Sequence, residues 1–237
     1  MSIPISLAII ALAALVHASF QLSVSVLTLL SAHTLGAKRS QFKLLRLTTS
    51  FVFGVGLMTL LLLSFVSLLL LSLFGTETPQ IIWAIACGLV AGVAISIWLY
   101  YYRREKGTML WIPRSFAKYL TDRTKSTKLC TEAFGLGLSS VVGELLFVAA
   151  PIFISALVLI QLPPIWQLIG IGTYTLISML SLIIVWISIS SGHSLSRIQK
   201  WRESNKYFLQ FASGAGLIVL GFFVYVNEII VITIGKI

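Results

Sequence analysis

The chain of 237 residues is 58% apolar and only 10% charged, with a mean hydropathy of +1.01. An ordinary soluble domain carries about 25% charged residues, so this composition excludes one and indicates a polytopic membrane protein. The formal net charge of +10 does not point to nucleic acid, because the basic residues sit in short connectors between apolar runs, where the positive-inside rule accounts for them.

The first apolar run extends from Ile3 to about Ala32, roughly 45 Å as a helix against a hydrocarbon core of about 30 Å. It must tilt, break or protrude. A cleaved signal peptide is the competing reading, but no Lys or Arg precedes the run and it is too long for a signal core, so a retained helix is expected. Within it His17, Gln21, Ser25 and Thr28 recur at spacings of four, four and three, which puts all four on one helical face. Such a polar stripe faces protein or water rather than lipid.

A basic connector with Lys38, Arg39, Lys43 and Arg46 leads to the second run, Leu47 to Phe74, which has Gly54 and Gly56 near its start. The hairpin GTETPQ follows without a basic residue. The third run, Ile81 to Tyr102, carries Gly88 and Gly92, a small-xxx-small pair of the kind that lets helices approach closely in lipid. It closes on Tyr100, Tyr101 and Tyr102 ahead of Arg103 and Arg104, an interfacial anchor.

The connector from Arg103 to Lys128 holds eight of the seventeen basic residues. Met109, Ile112, Phe116 and Tyr119 share one side of it, Arg114 and Lys118 the other, and Pro113 suits a first turn. A short amphipathic helix over 109–120 on the membrane surface and a solvated basic loop both fit this pattern.

The fourth run, Ala133 to Ile160, contains Glu144, the only acidic residue inside any long apolar run. A carboxylate near the middle of a bilayer costs roughly 2.5–3.5 kcal/mol, so it needs a partner, a proton or a water-filled cavity. Gly143 beside it admits a close neighbour, and Pro151 removes a backbone donor one turn above the freed carbonyl, so a bent or broken helix is expected. A role for Glu144 in binding or proton coupling competes with a structural one, a hydrogen-bonded acid that fixes packing.

The fifth run, Ile165 to Ser191, follows a charge-free QLPP turn and has Tyr174, Ser178 and Ser181 on one weakly polar face. These hydroxyls, like Gln21, Ser25 and Thr28, fit packing within the bundle as well as they fit a substrate path. The exit SGHSLSRIQKWRESNK is basic, and the sixth run, Tyr207 to Val226, contains Gly214, Gly216 and Gly221. His33 and His193 fall at the basic boundary, and Glu77, Glu132 and Glu228 at span ends, where solvation is cheap.

Lys and Arg number four, none, eight, none and four along the connectors, with Lys236 after the last run. This alternation predicts an all-α protein of six spans, both termini outside and the basic connectors in the cytoplasm. Three spans per half is odd, so residues 1–102 and 129–237 form two inverted three-helix repeats joined by the cytoplasmic connector 103–128. Inverted repeats of this kind place a transport site between them near the midplane.

Two segments carry a family resemblance. AFGLGLSSVVGELLFVAAPIFISAL resembles the AF-x-x-G-x-x-S opening helix of the cytochrome c biogenesis and disulfide-reductase membrane domains, which belong to the lysine-exporter (LysE) superfamily. RIQKWRESNKYFLQFASGAGLIVLGFFVYV is similar to the basic connector and glycine-bearing last helix of lysine-exporter-type chains. The resemblance implies an exporter-like multi-pass protein of the inner or plasma membrane. Cys87 and Cys130 do not occupy the first-helix and fourth-helix positions that the redox members use, so thiol exchange is not expected. The Pro-Gly-Pro-like helix breaks of the amino-acid exporters are also missing, and a lysine substrate does not follow.

The reading is therefore a secondary exporter of a small solute, with Glu144, His17, Gln21, Ser25, Thr28, Tyr174 and Ser178 as candidate substrate- or proton-binding groups. Divalent-cation export is an alternative, with His17 and Glu144 as weak metal candidates, since two good ligands are fewer than a dedicated site uses. A membrane subunit that docks a partner protein is another, and a homo-oligomer remains open. No hydrolase, metalloprotease or phosphate-loop pattern occurs, so neither an enzyme nor a cofactor is expected, and the partners are the bilayer and a small molecule or ion.

Overall fold

The computed structural model describes residues 2–20, 22–36, 41–101, 114–191, 200–201 and 204–231, and all regular structure among them is helical. In chain order the helices are α1 (Ile3–Ser19), α2 (Leu22–Gly36), α3 (Gln41–Phe74), α4 (Gln80–Ser96), α5 (Arg114–Ser126), α6 (Cys130–Leu159), α7 (Pro164–Ser178), α8 (Leu180–Ser190) and α9 (Lys206–Tyr225). One wider π turn continues α4 over Ile97–Tyr101, and another continues α9 over Val226–Ile230. Gln21, the segment residues Met109, Ile112 and Pro113, and His193 lie outside the described residues.

Four helices are long and apolar enough to cross a membrane, and the number rises to six if each of two bent pairs is one span. The pairs are α1 with α2, inclined at 44°, and α7 with α8, inclined at 52°. Large apolar side chains such as Phe53, Leu68, Leu168 and Phe222 are exposed on the outside of the bundle. A patch of this extent is rare on a soluble monomer but suits contact with lipid tails.

The centre of the bundle is α6. Of its most apolar stretch 67% is buried, against 22–33% for α3, α4 and α9. Its Phe147–Leu159 half packs into one apolar cluster with α1, α4 and α9, and its Ala133–Val141 half into a second with α2, α3, α5 and α8. Its first turn is closed by Glu132, whose carboxylate accepts the backbone N–H groups of Lys128 at 2.7 Å and Leu129 at 3.0 Å, a favourable use of negative charge at a helix N-terminus. The helix then runs unbroken through Gly143 and Pro151, so the break expected there does not occur. Pro151 itself is buried among the neighbouring helices, where packing can compensate the one lost backbone bond.

The closest crossing is between α3 and α6. A Cβ on Gly54 would meet the carbonyl oxygen of Phe134, and one on Gly137 that of Phe51; only glycine lets two backbones touch in this way. Ser50 Oγ donates to the carbonyl of Cys130 at 2.6 Å beside it. Gly88 and Gly92, expected to serve such a contact, point outward with open space around them. The inward face of α4 is instead Trp83, Ala86, Val90 and Ala94. At its end Trp98 stacks on Phe211 of α9 with centroids 5.7 Å apart.

The surface-lying segment also differs from expectation. Helix α5 is described from Arg114 onward, and its apolar side, Phe116 and Leu120 with Thr124, turns in against α2 and α6. Tyr119, placed on that side by spacing, is exposed and lies under the Arg123 guanidinium at 5.9 Å.

Candidate functional site

The two bends meet at the middle of the molecule. Helix α1 ends at Ser19 and Phe20 turns to an extended backbone, which leaves the last carbonyls of α1 in need of donors. Phe20 N–H donates to the carbonyl of His17 at 3.0 Å, and Ser19 Oγ to that of Val16 at 2.6 Å. The carbonyl of Ala18 accepts the hydroxyl of Ser181, from the first turn of α8. The end of one bent pair is thus capped by the other.

One turn further in, His17 Nδ1 and the Tyr174 hydroxyl share a hydrogen bond of 3.0 Å, with ring centroids 5.7 Å apart. Both side chains are buried. With neutral imidazole protonated on Nε2, the phenol is the donor and Nδ1 the acceptor. The bend between α7 and α8 falls at Met179, whose sulfur packs over Gly56 of α3, where a Cβ would come within 2.8 Å.

Glu144 is 3% exposed and shares a small internal cavity with His17, Phe20, Thr59, Ser178, Met179 and Ser181. The cavity measures about 20 Å³, enough for one water molecule. Glu144 is not left unpartnered there. Phe20 stacks on Phe147 of α6 at 5.5 Å and forms part of the apolar wall. An acid, an imidazole and hydroxyls carried by five different helices, α1, α3, α6, α7 and α8, therefore line one small cavity, a composition that suits a protonatable or ion-binding centre.

The sequence-derived candidates separate on this geometry. His17, Glu144 and Ser178 line the cavity, and Tyr174 holds His17 from behind. Ser25 and Thr28 do not line it; the 44° bend carries them away, and Thr28 Oγ1 donates to the carbonyl of Ser25 at 2.8 Å. Gly143 is half-buried next to Glu144 in the continuous helix. Thr59 and Met179 were missed. Thr59 Oγ1 donates to the carbonyl of Val55 at 3.0 Å, a helical hydroxyl with nothing in its spacing to single it out. Glu228, placed at a solvated span end, is in fact buried at 2% exposure, within the π turn that continues α9.

Among the described residues no group of three or more His, Cys, Asp or Glu side chains is placed to hold a metal ion, and Cys87 and Cys130 are both free thiols. In comparisons with protein-family models, curated proteins and solved structures, the chain matches none of them.

Proposed function

We propose that the chain is a secondary transporter that exports a small solute from the cytoplasm across the inner or plasma membrane, with Glu144 exchanging a proton or ion during the cycle. The observation that carries this reading is the shared cavity of Glu144 and His17 at the crossing of two bent spans. Interrupted helices that meet a buried acid are how many transporters build a site at membrane depth.

Counting each bent pair as one span gives six, with both termini outside and the three basic connectors cytoplasmic. Helix pairing supports two inverted halves. Exchanging the halves maps the α1–α2 span on α6, α3 on the α7–α8 span and α4 on α9. The packing of α1 on α7 then corresponds to that of α6 on α3, and the pair α4–α9 maps onto itself; all three contacts are extensive. The bends fall on the first and fifth spans, which are not equivalents, so the two halves differ at the centre. This layout agrees with the resemblance to the lysine-exporter superfamily.

A cavity of about 20 Å³ holds no organic solute, so solute passage requires the two bent spans to part. The same size favours a second reading, export of a bare cation, which needs less opening. Efflux from vesicles containing the purified chain, followed over a panel of amino acids, small organic acids and divalent metal salts, tests both. Efflux of an organic member is expected. Efflux of metal alone selects the second reading, and efflux of none leaves the docking subunit.

A further inference from the structure

A second, larger cavity lies apart from the central one. About 650 Å³ in volume, a typical size for a ligand site, it opens at the end of the bundle where the two connectors without Lys or Arg lie. It is lined by Glu77 and Thr78 of the hairpin after α3, Gln161 after α6, and Asn227 and Glu228 of the π turn that continues α9. Isolated π turns in helices frequently accompany function. This one places two neighbouring polar side chains on the same cavity.

One of these groups, Glu228, is built into the bundle. It is 2% exposed, and a buried carboxylate needs compensation. The charge of the amino terminus and one side-chain hydrogen bond from Gln161 act on it, although a carboxylate has about four acceptor sites. Thr78 Oγ1 is shielded from solvent and has no hydrogen-bond partner among the described residues. Asn227 donates its amide N–H to the carbonyl of Phe223 at 2.8 Å, and Gln161 donates to Glu228, so both keep their amide oxygens for another partner. Gly75, at φ +66°, sets the hairpin that carries Glu77 and Thr78.

The donor chemistry narrows the ligand. Two carboxylates, two amide oxygens and a hydroxyl make an all-oxygen set, which suits hard cations such as calcium rather than soft or borderline metals. No aromatic ring lines the described cavity, which disfavours an organic ammonium ion, whose recognition uses such rings. Among the described residues no Lys or Arg lines it. We infer that this vestibule binds a hard divalent cation, calcium by preference, held by Glu77, Glu228, Gln161, Asn227 and Thr78 with water completing the shell. The site is separate from the central one and does not depend on the transport reading.

The experiment uses the full chain in detergent at constant ionic strength. Its apparent melting temperature is followed against CaCl2 and, separately, tetramethylammonium chloride. A saturable rise with CaCl2, half-complete at on the order of 0.1–1 mM, is expected. Glu77→Gln and Glu228→Gln should each raise the half-saturating concentration about tenfold or more, while Glu144→Gln should leave it where it was. If Glu228→Gln does not fold, Glu77→Gln decides alone. The proposal is overturned by no saturable CaCl2 response, by an equal response to tetramethylammonium, or by a response that Glu77→Gln leaves intact. Loss of the response in Glu144→Gln with retention in Glu77→Gln overturns it too, since the ion would then sit at the centre.

Discussion

His17 and Tyr174, 157 positions apart in the chain, meet through a 3.0 Å hydrogen bond where α1 packs on α7. Each lies within a turn or so of the bend in its own span, so the bond ties the two bends together. Transmembrane hydrogen bonds average about 0.6 kcal/mol and reach about 1.7. Tyr174→Phe keeps the ring and loses the hydroxyl, so it should lower stability by about 0.5–1.5 kcal/mol. His17→Ala also opens a cavity and should cost about 2–4 kcal/mol. In a double-mutant cycle by thermal melting the pair should couple by at least about 0.5 kcal/mol; strict additivity would dissolve the link.

The glycines divide into two classes. Gly54→Ala and Gly137→Ala each force a methyl into the other helix's backbone, and should destabilise by about 3 kcal/mol or more, at or beyond the upper end of ordinary overpacking, because a backbone cannot step aside like a side chain. Gly88→Ala and Gly92→Ala meet nothing and gain helix propensity, worth up to about 1 kcal/mol each. Melting curves of the four variants should fall on opposite sides of the parent. A destabilised Gly88→Ala would mean that an unseen neighbour covers that face.

The hydroxyl of Ser181 caps the end of α1 across the bend. Ser181→Ala leaves the carbonyl of Ala18 without that donor in the interior, at a cost of about 1–3 kcal/mol. Because Ser188 sits on the same helix and bonds only its own backbone, Ser188→Ala should change stability by less than about 0.5 kcal/mol. Equal effects in the two variants would remove the capping role.

The orientation expected from the charge count has its own test. With Cys87 and Cys130 replaced by serine, a cysteine at Thr76 should react with an impermeant maleimide on intact cells, and one at Ser126 only after permeabilisation. Both positions are exposed. The reverse pattern would invert the topology.

Much of this was legible in the chain. Apolar runs foretold an all-helical chain with several helices long and apolar enough to cross a membrane, four to six in the structure, since insertion in lipid depends on summed hydrophobicity more than on packing. Glu144 stood out for the same reason, and His17 by its place on a polar stripe. What stayed hidden was direction and bending. Spacing shows that Gly88 and Gly92 share a face but not that the face looks outward. The bend at Met179 has neither proline nor glycine to announce it, while Pro151, which announces one, sits in an unbroken helix held on both sides. Ser25 and Thr28 left the site because one bend rotated half the stripe. Glu228 is buried within a π turn that has no sequence signal.

The central claim is that Glu144 couples the movement of solute to a proton or ion. Once an exported solute is known, its flux in proteoliposomes is measured with and without an imposed pH gradient, for the parent and for Glu144→Gln. The account predicts that the parent's flux responds to the gradient and that Glu144→Gln loses this response while remaining folded by its melting curve. A Glu144→Gln protein that transports as fast as the parent, with the same dependence on the gradient, would contradict it.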